Sequence, residues 1–169
     1  CKAVVKNERY FNEFSIFETA QVFRDENYTS PYDEREKLPS QRKNVAGAFA
    51  TTDKDITALF RKAKGVVEMM ARYVHMETLT FRQTEKPVWA DNVVWLNIYR
   101  GDEKVGDLAL LAKKVSMACG IKNLNVMLFQ LDQDSLVPLK SRTNTFTHLA
   151  EYPMTDYDIS LLVDGSVQW

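Results

Sequence analysis

The sequence predicts an α+β domain in which an antiparallel sheet is flanked by helices. Three observations carry this expectation. Apolar stretches with strand character recur at Phe14–Arg24, Asn44–Thr51, Val93–Tyr99 and Asn125–Leu131. One long segment, Asp55–Leu79, repeats its apolar residues every three or four positions, the period of a helix. A tight turn, Arg100-Gly101-Asp102-Glu103, leads from one strand into the next, as antiparallel neighbours require. A chain of 169 residues makes one domain, or one plus a fragment. That length buries about 70% of the unfolded surface, so neither disulfide nor metal is needed for folding.

In Phe14–Arg24 (FSIFETAQVFR), Phe14, Ile16, Ala20 and Val22 share one face, and Phe17 and Phe23 lie on the other. Apolar groups on both faces predict a strand covered on both sides. Glu18, on the Ile16 face, needs hydrogen-bond partners or solvent. Asp25–Arg42 (DENYTSPYDEREKLPSQR) is polar, holds two prolines and reads as a long loop. Asn44–Thr51 (NVAGAFAT) is small and apolar, an interior strand that closes a long-looped hairpin.

The helix follows. Its apolar stripe is Ile56, Leu59, Phe60, Ala63, Val66, Val67, Met70, Tyr73 and Val74, with Asp53 or Asp55 as the cap. Its other face carries Arg61, Lys62, Lys64, Glu68 and Arg72. Thr78–Thr84 forms a short strand. Val93–Tyr99 (VVWLNIY) turns into a strand over Lys104–Leu108. A second helix runs from about Leu110 to Ala118 and stops at Gly120, a natural C′ residue. Asn125–Leu131 (NVMLFQL) is a buried strand, and Ile159–Val163 (ISLLV) is the last one, after a break at Ala150–Pro153.

Composition excludes several classes. Apolar residues make up 45% and charged residues 27%, as in ordinary globular domains. No apolar run approaches the roughly 20 residues that span a bilayer, so no membrane contact is expected. The net charge of −1 argues against a strongly electrostatic nucleic-acid binder. Cys1 and Cys119 form no C-x-x-C, which argues against a disulfide scaffold or zinc site and favours a reducing compartment. With His75 and His148 as its two histidines, the chain has little material for a histidine-rich metal site. The N-terminus lacks an initiator Met and a signal-peptide core, so the chain is expected to be part of something longer.

Catalytic patterns are missing too. No two of the six glycines are separated by a single residue, which excludes the P-loop and Rossmann fingerprints. Ser15, Ser116 and Ser160 lie in no nucleophile elbow. His75 adjoins the apolar stripe of the helix and His148 precedes a break; both read as structural. Asp156 and Asp158 read as turn or surface carboxylates. Trp89 and Trp169 are candidate interface residues, with Trp95 in the core. The basic run Arg61-Lys62-Ala63-Lys64 reads first as a solvated helix face and second as a nucleic-acid contact.

Phe23-Arg24-Asp25-Glu26 spells F-R-x-E, which resembles the class II aminoacyl-tRNA synthetase signature whose arginine grips the α-phosphate of ATP. The glycine-rich second arginine motif of such a site has no counterpart after NVMLFQL. In order along the chain, Phe17, Glu18, Val22 and Phe23, then Leu38, Pro39 and Arg42, then Ala46 and Gly47 resemble the β subunit of bacterial phenylalanyl-tRNA synthetase. So do Lys64-Gly65-Val66-Val67-Glu68, Lys104-Val105-Gly106-Asp107-Leu108 and Met127-Leu128-Phe129-Gln130-Leu131-Asp132. The last such segment runs from Tyr152-Pro153 through Asp158-Ile159-Ser160-Leu161-Leu162-Val163. The chain departs from that family where EKPVWADNVVWLNIYRG replaces an H-P-G-x-[AS]-A stretch and where Tyr157 replaces an arginine.

The resemblance implies a class II catalytic-like core without its active site over residues 1–149. It implies the start of a truncated ferredoxin-like anticodon-binding domain over 150–169. The implied role is a cytoplasmic, non-catalytic structural and subunit-interaction region of phenylalanine–tRNA ligase. The catalytic α subunit is its partner in an (αβ)2 assembly, tRNA is engaged through the full-length parent, and the isolated chain is expected to self-associate. ATP and magnesium belong to the α subunit, and no catalytic residue, cofactor or metal is assigned here. Arg24 is then a relic of the ATP arginine. The alternative is a stand-alone or diverged RNA-binding module that uses Arg61, Lys62, Lys64 and Arg72, with Arg42-Lys43 nearby.

Overall fold

The computed structural model describes residues 1–29, 37–73, 78–136, 158–160 and 162, with the backbone alone for 24–29 and 37–38. In chain order the elements are α1 (Lys2–Asn7), β1 (Glu13–Thr29), β2 (Lys37–Thr51), α2 (Ile56–Tyr73), β3 (Thr80–Arg82), β4 (Ala90–Arg100), β5 (Glu103–Leu111), α3 (Lys113–Ala118) and β6 (Asn125–Asp132). Among the described residues the strands form one six-stranded antiparallel sheet in the order β1-β2-β6-β5-β4-β3. The fold is therefore the predicted α+β class.

Both faces of the central strands are covered, which explains their uninterrupted apolar sequence. Successive side chains alternate between faces. Phe49, Met127, Phe129 and Leu131 join Leu59, Ala63, Val67 and Ala71 of α2 in one core. Ala48, Ala50 and Val126 turn the other way, to Val4 of α1 and to Leu111, Ile121 and Leu124, with Trp89 and Val115 packed against them. The short α1 was not anticipated, because six residues show too little periodicity to be read.

Two close approaches hold the sheet together. A Cβ on Gly47 would sit 2.2 Å from the Phe129 ring, and one on Gly106 would sit 2.1 Å from the Gln130 carbonyl oxygen. Neither distance leaves room for a side chain. The expected stop at Gly120 is present: its φ is +84°. Ile121 N–H donates to the Ser116 carbonyl and Gly120 N–H to that of Met117, both at 3.0 Å. This is a Schellman closure.

Five expectations of the elements need correction. The second helix starts at Lys113 and not near Leu110, because Leu110 and Leu111 still belong to β5, where Leu110 pairs with Met127. Asp25–Arg42 is not all loop: β1 continues to Thr29 and β2 starts at Lys37. Its polar residues are extended by pairing with each other, with a register shift between Arg24 and Asn27. This end of β2 lies beyond β6, whose pairing stops at Asn44, so Pro39 sits where it interrupts no central ladder. The described helix ends at Tyr73 instead of reaching Leu79, and buried Leu79 leads into β3. β1 is not covered on both sides: Phe17 is 82% and Phe23 63% exposed, because α2 lies over β6, β2 and β5 while β1 forms the rim. Finally, Ile159, Ser160 and Leu162 carry no strand structure, and Ile159 and Leu162 are exposed. His75, His148, Asp156, Tyr157 and Trp169 lie outside the described residues.

Candidate functional site

The sheet face opposite α2 carries a polar row in register across four strands and into a fifth. Glu18 pairs with Ala46, Ala46 with Gln130, Gln130 with Asp107 and Asp107 with Asn97. At the α1 end of this face lies a groove of about 510 Å³, walled by Val4, Ile16, Ala48, Trp89, Leu111 and Leu128, with Glu18 and Gln130 at its polar edge. A smaller depression of about 290 Å³ adjoins it, lined by Asn44, Lys104, Asp107, Gln130 and Asp132.

Asn97, Asp107, Gln130, Arg42 and Asp132 on this face are engaged with other groups of the chain, while Asn44 Oδ1 is buried without a hydrogen bond and Glu18 is exposed. Asn97 is fully buried. Its Oδ1 accepts from Thr84 N–H at 3.0 Å, Thr84 Oγ1–H at 2.8 Å and Glu85 N–H at 3.0 Å. Its Nδ2 donates to Glu85 O at 2.8 Å and to Asp107 Oδ1 at 2.6 Å. Asp107 also takes Lys104 Nζ at 3.0 Å and Gln130 Nε2 at 3.2 Å. Asp132 accepts from Arg42 Nη1 at 3.0 Å and from the N–H groups of Asp134 and Ser135. Buried polar groups are retained when satisfied in this way. A nucleophile or phosphate clamp needs donors and acceptors aimed outward, toward substrate. The described residues of this face therefore do not fit ATP phosphates, since Lys104 and Arg42 point to internal carboxylates. Among the described residues no three His, Cys, Asp or Glu side chains converge in a way that would hold a metal ion.

Arg24 lies on β1 opposite Ser40, just before the register shift. Its side chain is outside the described atoms. Of the basic residues proposed for nucleic acid, Arg61, Lys62 and Arg72 are exposed and Lys64 half-buried. Lys62 Nζ meets Glu13 Oε1 at 2.5 Å. Lys64 pairs with Glu68 and stands 4.6 Å from the centroid of the Phe81 ring. Arg61 and Arg72 have no ion pair among the described residues and lie about 16 Å apart along the helix. Arg42 is engaged by Asp132, leaving Lys43 as the exposed cation of that pair.

A second surface starts at Val66, on the flank of α2 that faces β1, and turns away from the sheet through Met69 and Tyr73. Val66, Met69 and Tyr73 are exposed at i, i+3 and i+7, outside the stripe that enters the core. A Cβ on Gly65, beside them, would meet nothing within 4 Å. Between this flank and β1 lies an apolar groove of about 490 Å³ lined by Phe17, Val45, Phe49, Val66, Met70 and Phe129. The sequence placed Val66 and Tyr73 in the core stripe; the structure turns them outward, because α2 sits over the middle of the sheet and leaves its β1 flank bare.

Residues 1–133 match the family model described as the phenylalanyl tRNA synthetase beta chain CLM domain. No curated protein matches the chain. Among solved structures it is similar to PylSc of Desulfitobacterium hafniense, a pyrrolysyl tRNA synthetase, with a TM-score of 0.59 and 12% identity. That likeness covers 80% of this chain and 45% of the other, so the chain spans just under half of that synthetase. At this identity the likeness establishes the fold, which is that of a class II synthetase.

Proposed function

The chain belongs to the family of the phenylalanyl tRNA synthetase β-chain CLM domain, a fold associated with tRNA synthetases, and we propose that it serves there as a non-catalytic docking region for the catalytic α subunit of phenylalanine–tRNA ligase. The observation that carries this reading is the second apolar stripe of α2. A helix lying on a sheet needs one apolar stripe. Here Val66, Met69 and Tyr73 add another that stays 40%, 37% and 76% exposed. Gly65 costs the helix about 0.5–1 kcal/mol relative to Ala. Its open backbone suits a partner helix, which packs closely only where side chains leave a groove.

The opposite face supports the same reading, since its described cations Lys104 and Arg42 are paired with Asp107 and Asp132. ATP and magnesium chemistry then belongs to the α subunit, and Arg24 is a relic. tRNA is engaged through the full-length parent, and the assembly is cytoplasmic. Co-expression of the full-length parent with the α subunit of its host tests this. The expected result is co-elution at the mass of an (αβ)2 assembly that charges tRNA with phenylalanine. A parent that elutes alone while the α subunit charges tRNA without it overturns the reading.

A second reading, an RNA-binding module, is favoured by Arg61 and Arg72, exposed on the outer side of α2 without carboxylate partners among the described residues. It predicts that this chain alone binds tRNA with an affinity that falls steeply with salt.

A further inference from the structure

β1 runs 17 residues along the rim of the sheet, and among the described residues only β2 pairs with it. Every residue from Phe17 to Phe23 is exposed. Proteins ordinarily shield an edge strand with charges, proline, a bulge or short length. This stretch, FETAQVF, holds one charge and no proline, and its register with β2 stays regular through Arg24. Its backbone edge is thus open to another strand.

The sequence of that stretch specifies which strand. Phe17 and Phe23 stand three residues to either side of Ala20, and polar Thr19 and Gln21 flank Ala20 directly. We propose that two copies of this chain join antiparallel along β1, about a two-fold axis at Ala20. In that register Phe17 faces Phe23 of the second copy, twice, and both aromatic pairs lie on the α2 side of a continuous sheet. Cross-strand aromatic pairs stabilise antiparallel strands. Thr19 faces Gln21, Glu18 faces Val22, and Ala20 faces itself with no side chain large enough to clash.

A slip by one residue puts the facing phenylalanines on opposite faces, and a slip by two separates both pairs. The interface is isologous and closed, so it yields a dimer and not a filament. The inference rests on the edge of β1 and its self-complementary residues, and stands or falls apart from docking of the α subunit on α2.

Sedimentation of the whole 169-residue chain, from micromolar to millimolar concentration, tests it. The expected result is a twofold rise in mass that reverses on dilution. Ala20→Lys opposes two ammonium groups across the axis at a site exposed in the single chain. It is expected to hold the single-chain mass throughout, with circular dichroism and Tm unchanged. Ala20→Cys in a Cys1→Ser background is expected to give a disulfide-linked dimer on mild oxidation, which Cys1→Ser alone does not; this readout decides the matter should Ala20→Lys fail to fold. A wild-type chain that keeps the single-chain mass at millimolar concentration overturns the proposal. So does a dimer that survives Ala20→Lys, or one that Ala20→Cys fails to link.

Discussion

Gly106 and Gly65 ask opposite things of the same substitution. An added methyl at Gly106 would meet a backbone oxygen of β6, which cannot rotate away. Gly106→Ala is expected to cost about 2–3 kcal/mol, read as a lower urea midpoint. Gly65→Ala enters open space within a helix and is expected to raise the stability of the isolated chain by about 0.5–1 kcal/mol. An equal loss at both positions would contradict the packing described. Asn97→Ala strands two backbone N–H groups and the Glu85 carbonyl, and is expected to cost about 3 kcal/mol. The identity of these residues was visible in the sequence, but their partners were not. Asn97 looked like one polar residue in VVWLNIY, and Arg42 and Asp132 are 90 positions apart. Only the strand order brings such groups together.

At the scale of elements, periodicity located the central strands and α2, because packing on both faces leaves its mark on sequence. It failed where burial does not set the pattern. The polar stretch DENYT carries no alternation, yet it is held extended by pairing with β2. The outward turn of Val66 and Tyr73 could not be read, because one stripe broad enough for two surfaces looks like a single core face. The cap was legible: Asp55 Oδ1 accepts Ala58 N–H at 3.0 Å, and Asp53 Oδ1 accepts Asp55 N–H at 3.0 Å. Asp55→Ala is expected to destabilise the chain by about 1 kcal/mol in thermal or urea unfolding, the typical loss of such a cap. A change below a few tenths would mean that α2 is held by its core contacts alone.

For the whole molecule, the layered arrangement separates two surfaces. One sheet face has a groove near which Lys104 and Arg42 are paired with Asp107 and Asp132, and the flank between α2 and β1 is apolar and open. The fold class was legible because strands and helices announce themselves locally. The division of labour between the faces was not, since it depends on where α2 comes to rest. Docking without chemistry is the central claim, and one measurement tests it most directly. The full-length parent, carrying either Met69→Glu with Tyr73→Asp or Lys104→Ala, is combined with the α subunit, and association and phenylalanine charging are measured together. The account predicts that the paired α2 substitutions weaken association at least about tenfold, the effect of roughly 1.4 kcal/mol, and lower charging with it, while Lys104→Ala leaves both unchanged. Charging lost with Lys104→Ala and kept with the α2 pair would contradict it, and would move the function to the opposite face of the sheet.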